Sequence, residues 1–200
     1  MTIIEVTKSR DGLYKVVCDE GNSFFLVKET LYEYGLSTGK TVAESDIEEI
    51  LMHSAEGYAK QKAIAILAHS DSSREGLKKK LAKYVDDESA EAAVDRMEEL
   101  GLVNDRDYAA RLAEHMANVK HFGRRRIIFE LQNKGFDREL IEEVCDFPDR
   151  DVTEEIRLLL QKKNFDLKDP AGRRKAIDYL TRQGFTWSEM EEAITTDDIE

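Results

Sequence analysis

The chain has 200 residues and a formal net charge of −12, and 36% of its residues are charged. An apolar fraction of 41% with only two prolines excludes a disordered chain, and so many charges favour helices with broad solvated faces. No apolar run approaches the length of a membrane span, and Met1–Glu5 lacks the basic and apolar regions of a leader, so we expect no signal peptide, transit peptide or membrane segment.

The first part of the chain predicts short antiparallel strands. Ile3–Val6 precedes a turn at Ser9–Gly12, where an Asp-Gly pair supplies the positive φ of a tight hairpin. Leu13–Cys18 and Ser23–Val27 continue as a second and a third strand. A sheet of two or three strands is marginal alone and must pack on another element. The segment Lys28–Tyr34 then predicts one short helix.

From residue 45 onward the apolar spacing is helical. Ser45–Glu48 has the pattern of a capping box, and apolar residues at steps of three and four behind it predict one long helix that ends near His69. A second capping box at Ser72–Glu75 predicts a shorter helix. A third helix follows Asp86 and ends at Gly101, a residue suited to a helix C-terminus.

This three-helix unit recurs along the chain. The segments Ser73–Leu81, Gly123–Leu131 and Gly172–Leu180 align at offsets of 50 and then 49 residues. Each is followed by a helix end, a restart and a further apolar helix. A unit of this size buries little core alone, so adjacent copies should stack. The sequence therefore predicts a mainly α fold: three tandem three-helix repeats in an elongated, curved array, with a small N-terminal antiparallel β segment.

These signals divide the chain into four parts: a small β-rich segment over residues 1–44, and helical repeats over residues 45–103, 104–147 and 148–200. The predicted joints are Val103–Asp105 and Asp146–Asp149. The second joint contains one of the two prolines, which favours it as the hinge.

Motifs for catalysis or cofactor binding do not stand out. Gly35–Thr41 ends like a phosphate-binding loop, but its two glycines are four rather than five residues apart, so we interpret it as an ordinary turn. The four histidines have no zinc-type spacing, and the distant cysteines, Cys18 and Cys145, indicate a reducing cytoplasm. We expect neither an enzyme nor a bound metal or cofactor.

Charge is distributed unevenly. The balance is −6 over residues 1–57, +2 over residues 58–134 and −8 over residues 135–200. Basic residues recur where the middle helix of each repeat is predicted to start. Positive charge at a helix N-terminus opposes the macrodipole and costs about a few tenths of a kcal/mol per charge, which an anionic ligand at exposed amides would offset. The candidate binding residues are Lys78, Lys79, Lys80, Lys83, Lys120, Arg124, Arg125, Arg126, Lys134, Arg173, Arg174 and Lys175.

An alternative is a solvated face on which the arginines pair with acids of neighbouring helices. Acids available for such pairs are Glu98, Glu99, Asp105 and Asp107. The nearby aromatic residues have the spacing of core positions, and we interpret them as packing residues rather than as platforms for bases. They are Phe122, Phe129, Phe136 and Phe185.

The order and spacing of several segments resemble one bacterial family. Met97–Asp105 is followed by Asp107–Ala109, Gly123–Ile127 and Leu131–Asp137. Together with the N-terminal hairpin and the tandem repeats, these segments resemble the regulatory proteins of the RecX family. The resemblance implies binding to the recombinase RecA and to its nucleoprotein filament on single-stranded DNA. It also implies modulation, usually inhibition, of strand exchange and ATP hydrolysis, and hence of recombination and DNA repair.

A filament on DNA offers both protein and phosphate, which fits the mixed charge of the chain. We therefore expect weak binding to free single-stranded DNA, tighter binding to the filament, no membrane association and a monomeric protein. Two alternatives remain open at this point. One is a helix-turn-helix-like DNA-binding regulator, and the other is a plain helical protein–protein scaffold.

Overall fold

The structure, a computed structural model, describes the backbone of residues 1–197, with the side chains of residues 1–9 and 11–194. Two compact units are present: Met1–Val103, and a second that begins at Asn104. The strands are β1 (Ile3–Lys8), β2 (Leu13–Cys18) and β3 (Ser23–Val27). The helices are α1 (Lys28–Glu33), α2 (Glu44–Leu67), α3 (Arg74–Leu81), α4 (Asp87–Glu99), α5 (Asp105–Asn118), α6 (Arg124–Asn133), α7 (Arg138–Val144), α8 (Val152–Lys163), α9 (Pro170–Gln183) and α10 (Trp187–Asp197).

The three strands form an antiparallel sheet in the order β1-β2-β3, as predicted. The sheet is covered by α2, because Ile50 of that helix shares a buried cluster with Val16 and Leu26 of the strands. The amide of Val27 also donates a buried hydrogen bond of 2.9 Å to the Ser54 hydroxyl of α2. The long helix thus supplies the packing surface that an isolated three-stranded sheet lacks.

Both predicted capping boxes are wrong in detail. Helix α2 begins at Glu44, and the Ser45 hydroxyl donates to the neighbouring Asp46 carboxylate at 2.7 Å instead of capping. Acidic residues in this first turn are already favourable to the helix dipole. In α3 the cap is Ser73, which accepts from the Gly76 amide at 3.0 Å, while Ser72 accepts from the Lys80 ammonium.

The buried positions confirm three tandem three-helix repeats. Each repeat has its own apolar cluster: one from α2–α4, one from α5–α7 and one from α8–α10. Leu77, Ile127 and Ala176 are fully buried at equivalent positions of the middle helices, which reproduces the offsets of 50 and 49 residues. The limits of the four-part division remain a prediction.

The middle helix of the third repeat starts earlier than its counterparts. Pro170 is its first residue, and Asp169 caps it by accepting from the Gly172 amide at 3.0 Å. Proline suits a first helical position because its φ is already helical and no amide is left unpaired. Gly172 therefore lies inside α9, although the sequence alignment placed it at the start.

Candidate functional site

Only one of the three basic clusters lies in the first turn of its middle helix, which corrects our expectation of a basic start in each. Arg124, Arg125 and Arg126 do form the first turn of α6. Lys78–Lys80 lie in the last turn of α3, where positive charge is favourable to the helix dipole. Arg173–Lys175 begin at the fourth residue of α9, because that helix starts at Pro170.

The start of α6 is covered by the end of α9. The Gly123 amide, at the cap position of α6, donates a 2.8 Å hydrogen bond to the Gln183 carbonyl. A Cβ added to Gly123 would lie 2.5 Å from the Phe185 nitrogen, so the two backbones approach as closely as glycine allows. The negative end of the α9 dipole thus offsets part of the positive charge at the start of α6. The Gly123 amide is not exposed for an external anion, contrary to our expectation.

Arg124 and Arg126 are both held by intramolecular partners. The Arg124 guanidinium donates to the Glu142 carboxylate at 2.5 Å and to the Cys145 carbonyl at 3.2 Å. Arg126 donates to the Arg182 carbonyl at 3.2 Å and to the Gln183 side chain at 2.9 Å. These bonds join α6 to α7 and to the end of α9.

The ring of Phe122 extends this cluster. The Arg126 guanidinium lies 3.7 Å from the centroid of the Phe122 ring, and the Lys120 ammonium lies 5.6 Å from the same centroid. Both distances suit cation–π contacts. The Phe122 ring is half-buried against the core of the second repeat, which agrees with its interpretation as a packing residue. Its exposed part contacts the two cations.

The cations of the first repeat are also paired. Arg74, at the start of α3, is bound by the carboxylates of Glu91, Asp95 and Glu98 of α4. Lys78 shares Glu91 with Arg74. Hydrogen bonds from Lys78 and Arg74 hold the pKa of Glu91 below its ordinary value. The bond to Glu91 raises the pKa of Lys78, and the bonds to Asp95 and Glu91 raise the pKa of Arg74. Sequence reasoning did not single out Arg74, although it aligns with Arg124.

Several other candidate cations project outward. Lys79 pairs with Glu75 at 3.3 Å, one helical turn earlier. Arg125, Arg174 and Lys175 are exposed, and we find no carboxylate partner for these three within the described part of the chain. The remaining exposed candidates are Lys83, Lys134 and Arg173.

One of the four aromatic residues is not where its spacing predicted. Phe136 and Phe185 are buried, with 6% and 2% of their surface exposed. Phe129, on α6, is 58% exposed, so the interpretation of this residue as part of the core is wrong. Ile127 and Leu131 already fill the buried face of α6, and Phe129 lies two residues from each, on the opposite side.

The predicted hinge after α7 leads into a part-buried ion pair. The Arg150 guanidinium donates to the Glu155 carboxylate at 2.5 Å and to the Phe122 carbonyl at 2.8 Å. Only 7% of the Arg150 side chain and 19% of the Glu155 side chain are exposed. The bond from Arg150 to the Phe122 carbonyl ties the second repeat to the third, and sequence reasoning missed it because these two residues are 28 positions apart.

Among the described residues, no cluster of three or more His, Cys, Asp or Glu side chains could hold a metal ion. Burial raises the pKa of the Cys145 thiol to about 11, which makes it a poor nucleophile at neutral pH. Between residues 1 and 197, no helix is long and apolar enough to cross a membrane.

Comparison with known proteins points to one family. A family model described as the second three-helix domain of RecX matches residues 104–144. Regulatory protein RecX of Clostridioides difficile (strain 630) is 29% identical over 191 residues, which cover 94% of this chain and 90% of the relative. Regulatory protein RecX of Stenotrophomonas maltophilia (strain R551-3) is 34% identical over 140 residues, which cover 68% of this chain and 85% of the relative.

Solved structures share the fold. A crystal structure of regulatory protein RecX aligns with a TM-score of 0.67 at 22% identity and covers 98% of both chains. The crystal structure of RecX from Lactobacillus salivarius aligns with a TM-score of 0.64 at 21% identity and covers 73% of this chain. With the tandem three-helix repeats, the matching second domain and the full-length relatives in agreement, the chain belongs to the RecX family of regulatory proteins.

Proposed function

We propose that the protein is a non-catalytic regulator that binds the recombinase RecA and its filament on single-stranded DNA, and inhibits strand exchange and ATP hydrolysis. Family membership supports the regulatory role. The observation that carries the nucleic-acid part is that a chain of net charge −12 keeps Arg125, Arg174 and Lys175 exposed without a carboxylate partner among the described residues. An acidic body with separate free cations suits a target that offers protein and phosphate together, whereas a binder of free duplex gains from uniform positive charge.

The proposed mechanism is steric and electrostatic. The protein bridges successive recombinase subunits and blocks filament growth or entry of the partner strand, while its exposed cations lie near phosphates. Arg125, Arg174 and Lys175 are the first candidates for this contact, followed by Lys83, Lys120, Lys134 and Arg173. Lys78, Arg124 and Arg126 contribute less, because binding a phosphate would require them to leave carboxylates or carbonyls that they already hold.

Fluorescence anisotropy of a labelled single strand tests the proposal, with RecA and an ATP analogue present or absent. We expect weak binding to the bare strand, tight binding to the assembled filament and a parallel fall in RecA ATP hydrolysis. Sequence-selective binding to duplex DNA would favour a helix-turn-helix-like regulator instead. Failure to bind any of these targets would leave a plain scaffold. Sedimentation at the same protein concentration tests the expected monomer.

A further inference from the structure

One face of α6 combines a cation, an aromatic ring and two amides. Arg125, Phe129, Gln132 and Asn133 are all exposed. At 100° per residue these four positions span about 100° of the helix circumference and lie opposite the buried Ile127 and Leu131. This set, named here the α6 outer face, contains no carboxylate.

The nearest acid along the helix is directed elsewhere. Glu130 lies 3.8 Å from the Arg126 guanidinium, on the side of α6 toward α9. Arg125 is therefore the free positive charge beside the Phe129 ring, one helical turn before it. The Phe129 ring is 58% exposed, so its face is accessible to a ligand.

The other two repeats differ at the equivalent positions. With the offsets of 50 and 49 residues, Arg125 and Phe129 correspond to Glu75 and Lys79 in the first repeat, and to Arg174 and Asp178 in the third. Both positions hold opposite charges at i and i+4; Glu75 and Lys79 form an ion pair at 3.3 Å, whereas Arg174 and Asp178 are not within ion-pair distance of each other. The second repeat instead has a cation and an aromatic ring there, so no acid lies one helical turn after Arg125.

We propose that the α6 outer face binds single-stranded DNA, with the Phe129 ring stacked on an unpaired base and the Arg125 guanidinium on a neighbouring phosphate. This inference rests on the proposed function and names its contact with the strand. Single-strand binding sites combine positive charge with exposed aromatic rings, because every base has a π face on which a ring can stack. A duplex hides those base faces. A protein partner would cover the ring as well, but it would not require a neighbouring cation free of carboxylates.

The single tryptophan of the chain, Trp187, allows a direct spectroscopic test. In a Trp187→Phe background, Phe129→Trp places the sole indole on the α6 outer face. Oligo(dT), alone and within a RecA filament held by an ATP analogue, should quench its emission, because a stacked base quenches an indole. A second variant, Phe25→Trp in the same background, reports an exposed aromatic position of β3 and should show no quenching. Binding seen by anisotropy without quenching at position 129 would overturn the inference.

The Phe129→Leu variant separates a base from a protein as the ligand. Leucine keeps an apolar contact for a protein partner but cannot stack, so affinity for the filament should fall roughly tenfold if the ligand is a base. Phe25→Leu serves as the matched control and should leave affinity unchanged. Unchanged binding by Phe129→Leu would overturn the inference while the proposed function stands. If the wild-type protein itself does not bind the filament, the proposed function is refuted instead.

Discussion

Gly123 and Gly184 touch backbone to backbone where α6 begins and α9 ends. A Cβ on Gly184 would lie 2.5 Å from the Cβ of Arg126, and a Cβ on Gly123 would meet the Gly184 carbonyl group. The bond from the Gly123 amide to the Gln183 carbonyl crosses the same point. The second and third repeats therefore meet through main-chain atoms, and neither position has room for a side chain.

Gly184→Ala should destabilise the protein by more than its backbone conformation alone requires. Gly184 has φ 93°, and alanine there costs about 1–2 kcal/mol of conformational strain, plus about 1–3 kcal/mol for the clash with Arg126. Gly39→Ala is the matched control, because Gly39 has φ 87° and nothing within 4 Å of an added Cβ. Urea denaturation followed by circular dichroism compares the two. Equal losses would contradict the close approach at Gly184.

Arg150→Met should cost about 1.5–3 kcal/mol of stability, since it leaves the part-buried Glu155 carboxylate and the Phe122 carbonyl without their partner. The exposed pair between Arg106 and Glu143 offers a matched control, with 73% and 53% of the two side chains exposed. Arg106→Met should cost at most about 1 kcal/mol. The midpoint of urea denaturation measures both changes, and similar values for the two variants would refute a special role for Arg150.

Arg125 and Arg126 should behave in opposite ways although they are adjacent. Arg125→Ala should change stability by less than about 0.5 kcal/mol, but it should weaken binding to the filament. It should also reduce, by about one, the slope of the logarithm of the binding constant against the logarithm of the salt concentration. Arg126→Ala should lose about 1–3 kcal/mol of stability, because it removes bonds to Arg182 and Gln183 and the ring contact with Phe122. Thermal melting and binding titrations over a range of salt concentrations measure these effects. If the two variants lose stability and filament binding to the same extent, Arg125 is not a binding residue distinct from a structural Arg126.

Acid should destabilise the first repeat through Glu91. Its pKa in the folded protein lies below the ordinary value of 4.5, so its contribution is present above that pH and is lost as the pH falls through the lowered pKa. Glu91→Gln should therefore flatten the decline of the melting temperature below about pH 4.5. Glu88→Gln, on an exposed residue of the same helix, should leave the decline intact. If the melting temperature of Glu91→Gln falls with pH as steeply as that of the wild-type protein, Glu91 is not the cause of the acid destabilisation.

The register of the repeats could be predicted from the sequence because core positions recur at fixed spacing. The buried Leu81, Leu131 and Leu180 occupy the end of the same aligned segment in each repeat. The caps were harder, because Ser72 and Ser73 are locally equivalent and tertiary contacts decide between them. The burial of Phe129 could have been judged correctly: it lies two residues from both Ile127 and Leu131, which is nearly half a helical turn away from the buried side.

The intramolecular partners of the basic residues could not be predicted in the same way. Arg126 meets Gln183 across 57 residues of sequence, and Arg150 meets Phe122 across 28. The sequence offered several acids for such pairs, and of these Glu98 binds Arg74 of another helix while Glu99 binds Arg96 of its own helix. Nothing local indicates which carboxylate or carbonyl group folding will bring to a given guanidinium.

The hydrogen bond of the Gly123 amide also has a consequence for folding. Its proton belongs to the second repeat, yet the carbonyl that shields it from solvent belongs to the third. Exchange of that proton with solvent therefore reports on the opening of either repeat. The contact couples the two repeats at this point, because unfolding of α9 also exposes the start of α6.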